Sequence, residues 1–470
     1  MVFSSTVFLV YFLPVLLLLY TIVPQGLRNY LLLAASIFFY SWGAPRFLFV
    51  ILGTTLLDFF LVSYMYKAAE QRLKKLLMVI SISINLGLLF YFKYFDFFIG
   101  TLSSLFGVGY SGVATIALPL AISFYTFETV TYVVDVYRGK HPPQENFGNY
   151  LLYILFFPKM ILGPIIAYHE IASQLSNRIA NEKFALRITG FVRFSIGLAK
   201  KVLIADLLAV YVSGVFSPEI RDISALNVWI GAFAFLLRLY FDFSGYSDMA
   251  IGLGKMFGFN LPENFNNPLT SASLTEFWKR WHMTLGNWMK NYLYIPLGGN
   301  HVTVKRLLFN LWIVFLLSGL WHGASWNFVI WGAAHGFVIM LERLFLLKFY
   351  ARVWKIIPLI ITLIVVVVTG VFFNTESLAH AGNVFALMFG SSHSAFVLPG
   401  REFLVVFVAA ICFSFFAVFK WGRAIQKVVF EEPSKFTTRL ALSFVALILF
   451  VTSLSFVTAA GVHPFIYFRF

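Results

Sequence analysis

Apolar runs separated by short polar breaks recur from Val7 to Val457, and this pattern dominates every other feature of the chain. A bilayer core about 30 Å thick needs about 20 mostly apolar residues per helical span. Runs that meet or approach this length cover 7–22, 30–42, 47–65, 76–92, 116–134, 150–166 and 202–216. Later ones cover 226–243, 307–321, 326–347, 356–373, 403–419 and 440–457. The period-two alternation of lipid-facing strands is absent, so the pattern predicts an all-α polytopic membrane protein. Several runs are too short to cross alone, which predicts about eleven true spans with re-entrant or interfacial helices among them. No repeat, low-complexity tract or linker interrupts the series, so residues 1–470 read as a single integral membrane domain.

The polar breaks give an orientation. The loop 67–75 carries Lys67, Arg72, Lys74 and Lys75 against Glu70, a cytoplasmic signature. Counting back puts the N-terminus outside, and counting forward two spans puts Arg138 and Lys140 inside. One more crossing would then strand Lys183, Arg187, Arg193, Lys200 and Lys201 outside. The run 150–166, broken by Pro158 and Gly163-Pro164, is therefore not expected to cross simply.

Two stretches depart from the pattern. Residues 273–294 open with Ser273-Leu-Thr-Glu276, which fits a capping box. Leu274, Trp278, Trp281, Leu285, Trp288 and Tyr292 then fall on one helical face, while Glu276, Lys279, Arg280 and Lys290 interrupt the apolar run. This predicts one amphipathic helix at the membrane interface, with His282 beside its apolar stripe. The second stretch, 241–252, places Asp242, Ser244, Gly245, Ser247, Asp248 and Gly252 within apolar sequence. Intramembrane carboxylates are functional candidates, but pairing with Arg238 or Arg138, or capping of a broken helix, is the structural account of them.

Composition sharpens the picture. Of 470 residues, 60% are hydrophobic and 12% charged, about half the charged fraction of an ordinary soluble domain. The net charge of +15 is accounted for by basic residues at span ends facing anionic lipid, and no long soluble segment exists to carry nucleic acid. Cys412 is the single cysteine, which excludes a disulfide within the chain. The N-terminal run has no basic segment ahead of it and leads into further membrane sequence, so it reads as a span rather than a cleaved leader. Neither a P-loop, nor a Rossmann fingerprint, nor a metal-spaced Cys/His set is present, so no tightly bound cofactor or metal is expected.

Histidines within apolar runs carry the remaining chemistry, because a polar group in such surroundings must find a partner or a task. Lys305 and Arg306 precede the run 307–321, which ends in Trp321-His322-Gly323. Fifteen helical residues rise roughly 22 Å, which puts His322 past the membrane midplane. Gly323 is expected to leave open space beside its ring. A neutral imidazole there could take the proton of a hydroxyl as a general base, or could tie two helices together. His335 lies 13 residues on, roughly 220° around an ideal helix, so no shared face is expected and close packing beside Gly332 and Gly336 is the simpler role. These features leave a transferase and a transporter of an acyl donor or lipid-linked sugar both open.

A family resemblance then narrows the choice. Its motifs include Pro119-Leu-Ala-Ile-Ser-Phe-Tyr-Thr-Phe127, Asp135-Val-Tyr-Arg-Gly139 and Phe157-Pro-Lys-Met-Ile-Leu-Gly-Pro164. They continue with Asp242-Phe-Ser-Gly-Tyr-Ser-Asp248, Phe277-Trp-Lys-Arg-Trp-His282, Tyr292-Leu-Tyr-Ile-Pro-Leu-Gly-Gly-Asn300 and Gly319-Leu-Trp-His-Gly323. The chain resembles the membrane-bound O-acyltransferases (MBOAT), in particular the bacterial branch that O-acetylates exported polysaccharides such as alginate. The resemblance implies a ring of helices around a central tunnel and a location in the bacterial inner membrane. It implies a cytoplasmic donor, acetyl-CoA or an acyl carrier protein thioester, together with an SGNH-type extracytoplasmic partner and a polysaccharide acceptor. It also implies two essential histidines, His322 as the base and His282 as a donor-positioning group. Asp242, Asp248, Trp321, Trp281 and Asn287 are further candidates for lining the substrate path.

Overall fold

The computed structural model describes residues 1–109, 118–219, 222–390, 394–431, 435–460 and 464–465, and no strand occurs among them. Eight helices of the described residues are long and apolar enough to cross a membrane. They are Pro45–Lys67, Gln71–Phe106, Ala225–Met256, Val304–His322, Trp326–Tyr350, Ile356–Asn374, Arg401–Val418 and Phe436–Ala459. Two apolar helices, Val7–Ile22 and Leu378–Phe389, are shorter. Phe49, Phe60, Val405 and Val451 on the long helices are exposed, as side chains facing acyl chains would be. The chain is a multi-pass integral membrane protein.

Some predicted runs take other forms. The run 150–166 resolves into the helix Phe147–Leu155, a non-helical Phe156, and the turn Phe157–Met160 with Pro158 in its first turn. Nine helical residues rise about 14 Å, too little to cross a bilayer. Residues 116 and 117 of the run 116–134 lie outside the described part, residues 118–121 are not helical, and 122–134 lie in the almost wholly buried helix Ile122–Tyr137. Asp242 to Gly252 does not break a helix, contrary to one expectation, because Ala225–Met256 runs through it without interruption.

The residues pack as two compact units, Met1–Gly190 with Ala250–Pro262, and Phe191–Met249 with Glu263–Phe470. In the first, polar side chains inside the bundle are matched to one another. Asp58 accepts from Ser81 Oγ at 2.5 Å and from Asn85 Nδ2 at 2.9 Å. Lys159, on the non-crossing turn, pairs with Glu128, and both are buried. Unpaired, either charge would carry a desolvation cost of several kcal/mol or more, so the pair anchors that turn to the Ile122–Tyr137 helix.

In the second unit, small residues let helices approach. A Cβ on Gly245 would stand 2.7 Å from the carbonyl oxygen of Gly197, and one on Gly197 would stand 2.5 Å from that of Gly245. This close crossing sets consecutive lysines against the two aspartates of the 225–256 helix. Lys200 reaches Asp248 at 2.7 Å and Lys201 reaches Asp242 at 2.8 Å.

Candidate active site

The site is built from a helical hairpin and a broken segment, both in the second unit. Val304–His322 is one helix of 19 residues, about 28 Å long. His322 therefore ends it at the opposite extreme from Lys305 and Arg306. The chain reverses over Gly323–Ser325 and returns as Trp326–Leu341. Glycines set how closely the two arms approach. A Cβ on Gly319 would meet the Phe328 carbonyl oxygen at 2.3 Å, and one on Gly332 would meet that of Phe315 at 2.4 Å. The space expected beside Gly323 is not open. A Cβ there would stand 2.2 Å from the Phe328 ring, and its extended φ of −162° suits any residue, so glycine is required for packing.

His322 is buried among aromatic rings. The centroids of Trp321, Trp331 and Phe373 lie 5.0, 5.1 and 5.3 Å from that of the imidazole. It lines a cavity of about 30 Å³ with His335, Trp278, Trp281, Trp331 and Phe373, room for roughly two water molecules. The helical-wheel reading that separated His322 from His335 fails because they stand on different arms of the hairpin. The reversal brings both rings to one cavity, and Trp331 touches each.

His335 is nevertheless fully committed. The Trp278 indole N–H can only donate, and it reaches His335 Nδ1 at 3.1 Å. The ring proton therefore sits on Nε2, which donates to Thr369 Oγ1 at 2.8 Å. The threonine hydroxyl in turn donates to the Val365 carbonyl at 2.7 Å. With both nitrogens used, His335 fixes a wall of the cavity and has no lone pair left for a substrate.

Trp278 arrives on the second component. The Ser273 hydroxyl accepts from the Glu276 N–H at 3.0 Å, as a capping box requires, although the Glu276 carboxylate takes the N–H of Ala272. Buried Glu342 accepts from the N–H groups of Leu274 and Thr275 at 2.6 and 2.8 Å. Glu342 and His335 stand seven residues apart, two helical turns on one face. Together they fasten the helix Leu274–Arg280 against the returning arm.

The single interfacial helix predicted over 273–294 is broken at His282. Leu274–Arg280 ends in extended Trp281, His282 takes φ 46° and ψ 52°, and a new helix starts at Met283. Left-handed backbone costs a β-carbon-bearing residue about 1–2 kcal/mol, and such strain concentrates at functional positions. His282 is also 1% exposed, so an interfacial, solvated ring is ruled out. Asn264 holds it in place. The Thr284 N–H reaches Asn264 Oδ1 at 3.3 Å, which fixes the amide orientation and makes that oxygen an acceptor. His282 Nδ1 must then donate to it, at 3.1 Å. The proton lies on Nδ1, and the buried Nε2 presents a lone pair with no hydrogen-bond partner among the described residues. Burial pushes this imidazole down to about 3, so it stays neutral at physiological pH. The ring packs 6.1 Å from Trp321, which also touches His322.

Of the other sequence candidates, two belong to this centre and three do not. Trp281 lines the cavity and Trp321 stands between the two histidines. Asp248 is held by Arg193 at 2.9 Å and by Lys200, and Asp242 by Lys201, and neither aspartate lines the cavity. Asn287 is exposed on the helix after the break. Sequence reasoning missed Asn264, Trp278 as a cavity wall, and Glu342. Only Glu342 carried a signal, as a lone carboxylate in the apolar run 326–347.

This centre has the makings of acyl-transfer chemistry: buried imidazoles, His282 among them neutral, aromatic walls and little room for water. The family model of the membrane-bound O-acyltransferases matches residues 140–375, the part that contains both histidines. The chain belongs to the membrane-bound O-acyltransferase family, and it is an O-acyltransferase enzyme. It is 37% identical to the probable alginate O-acetylase AlgI of Pseudomonas putida, over 100% of both chains. It is 34% identical to a peptidoglycan O-acetyltransferase of Helicobacter pylori, over 83% of this chain and 80% of that one. A teichoic acid D-alanyltransferase of Bacillus subtilis is 29% identical, over 48% of this chain and 59% of its own.

Proposed function

We propose that the protein takes an acetyl group from a cytoplasmic thioester, acetyl-CoA or an acyl carrier protein thioester, and passes it across the membrane. The acetyl then serves O-acetylation of an exported or cell-wall polysaccharide, alginate or a related polymer, with an SGNH-type extracytoplasmic partner completing the transfer. The names of the similar proteins support this reading, and the observation that carries it is the buried His322 cavity at the end of a 19-residue helix.

A thioester is already activated, so the protein need supply a base, an orientation and exclusion of water. His322 accepts the proton of the acceptor hydroxyl as its oxygen attacks the thioester carbonyl carbon. The tetrahedral intermediate collapses with cleavage of the C–S bond, and the departing thiolate takes the proton back from His322. His282 positions the donor, its Nε2 accepting a hydrogen bond from it, while Trp281 and Trp321 line the path. A central tunnel of the kind the family resemblance implies would connect the donor and acceptor sides.

Mass spectrometry of cell-surface polymers, with and without the protein, tests the reading. Loss of O-acetyl groups from one polysaccharide without loss of the polymer is expected. Unchanged acetylation of every surface polymer would refute it.

A further inference from the structure

Lys420–Phe430 is a helix between two candidate membrane spans, Arg401–Val418 and Phe436–Ala459. With about 100° between residues, its side chains fall on three faces. Gly422, Gln426 and Phe430 meet protein. A Cβ on Gly422 would stand 2.0 Å from the Phe416 carbonyl oxygen, Gln426 Oε1 accepts from Asn267 Nδ2 at 3.0 Å, and the Arg193 guanidinium lies 4.7 Å from the Phe430 ring. Trp421, Ile425 and Val428 form the second face, and they are 59%, 50% and 45% exposed. Lys420 and Lys427 are exposed on the third. Arg423 shares that face but donates to the carbonyls of Ala417 and Val418, closing the preceding turn.

The faces are not interchangeable. The protein contacts fix the rotation of the helix, so Trp421, Ile425 and Val428 stay uncovered. Spans on both sides hold the helix at the membrane surface, where acyl chains can cover that apolar face. The charge of the surrounding segment specifies the headgroup. Residues 420–439 carry Lys420, Arg423, Lys427, Lys435 and Arg439 against Glu431 and Glu432, and such segments favour anionic leaflets. We propose that Lys420–Phe430 lies in the plane of the membrane surface, with Trp421, Ile425 and Val428 among the acyl chains, and binds anionic phospholipid through Lys420 and Lys427. The proposal stands independently of the acyl-transfer reading.

Because Cys412 is the single cysteine, a unique label is simple to introduce. The full-length protein carrying Cys412→Ser and Ile425→Cys, labelled with an environment-sensitive dye, is reconstituted in vesicles containing lipids brominated on the acyl chain. Strong quenching is expected, and Val428→Cys in the same background should behave alike. Separately, association of a spin-labelled phosphatidylglycerol is compared with that of a spin-labelled phosphatidylcholine. Lys420→Gln with Lys427→Gln should lower the preference for the anionic lipid roughly tenfold or more in protein that remains monodisperse. Water-like, unquenched emission at both labelled positions would overturn the proposal. An unchanged lipid preference in the double variant would overturn it equally, and would leave the basic face to an acidic protein.

Discussion

The hairpin Val304–Leu341 and the segment Glu263–Tyr294 each deliver a buried histidine to the neighbourhood of Trp321, by opposite means. The hairpin does so with regular helices pressed together at Gly319 and Gly332, and His322 falls at the end of an unstrained turn. The segment does so by abandoning the helix, placing His282 in left-handed backbone and holding it through Asn264. In one region packing sets the position of the ring. In the other a hydrogen bond sets both its position and its tautomer. The difference fits the proposed roles: a base meeting hydroxyls needs surroundings that exclude water, whereas a donor-positioning group needs one nitrogen aimed and the other tied down.

The comparison can be broken first at Gly323. Gly323→Ala would drive its methyl into the Phe328 ring, an overpacking cost of about 1–3 kcal/mol. Lower thermal stability of the purified protein is expected, with recovery when Phe328→Ala is added. A Gly323→Ala protein as stable as the parent would show that the hairpin is not held by this contact.

On the other side, Asn264→Ala removes the acceptor that holds the His282 proton on Nδ1. One neutral hydrogen bond is worth about 1 kcal/mol, so acetyl transfer should slow several-fold to tenfold through donor use. Asn264→Asp retains an acceptor oxygen and should recover most of the rate. Equal rates for the two variants would remove the tautomer from the account.

The buried ring also makes stability depend on pH. His282 lies between the spans Ala225–Met256 and Val304–His322, and burial lowers its ring from 6.5 to about 3. Between these values the unfolded chain binds a proton that the folded one does not, so stability rises with pH across the window. This contribution is complete above 6.5 and is lost as pH falls toward 3. His282→Asn should flatten that part of the stability profile, measured by thermal unfolding from pH 4 to 7, and an unchanged slope would count against a buried neutral ring.

Much of this arrangement was legible in the chain. The run 307–321 ends at His322 because a continuous apolar pattern stops there, and the Ser273 cap carries its own local signature. The break of 150–166 followed from Pro158 and Gly163-Pro164. What stayed hidden depends on partners distant in sequence. Asn264 is 18 residues from His282, and Glu342 is 67 from Thr275. Helical periodicity over 274–292 drew one smooth face through a backbone that turns left-handed at its centre, because side-chain pattern carries no record of φ. The glycines near Asp242 and Asp248 looked like interruptions, since nothing local shows that Gly197 packs against Gly245.

The central claim is that His322 is the base of an acyl transfer, and it is tested most directly with purified protein in vesicles supplied with a labelled acetyl thioester and an acceptor. His322→Ala should lose transfer by about 10²–10⁴-fold, while remaining monodisperse and as thermally stable as the parent. His335→Gln should retain most of the activity. Transfer by a folded His322→Ala protein at the parental rate would contradict the account.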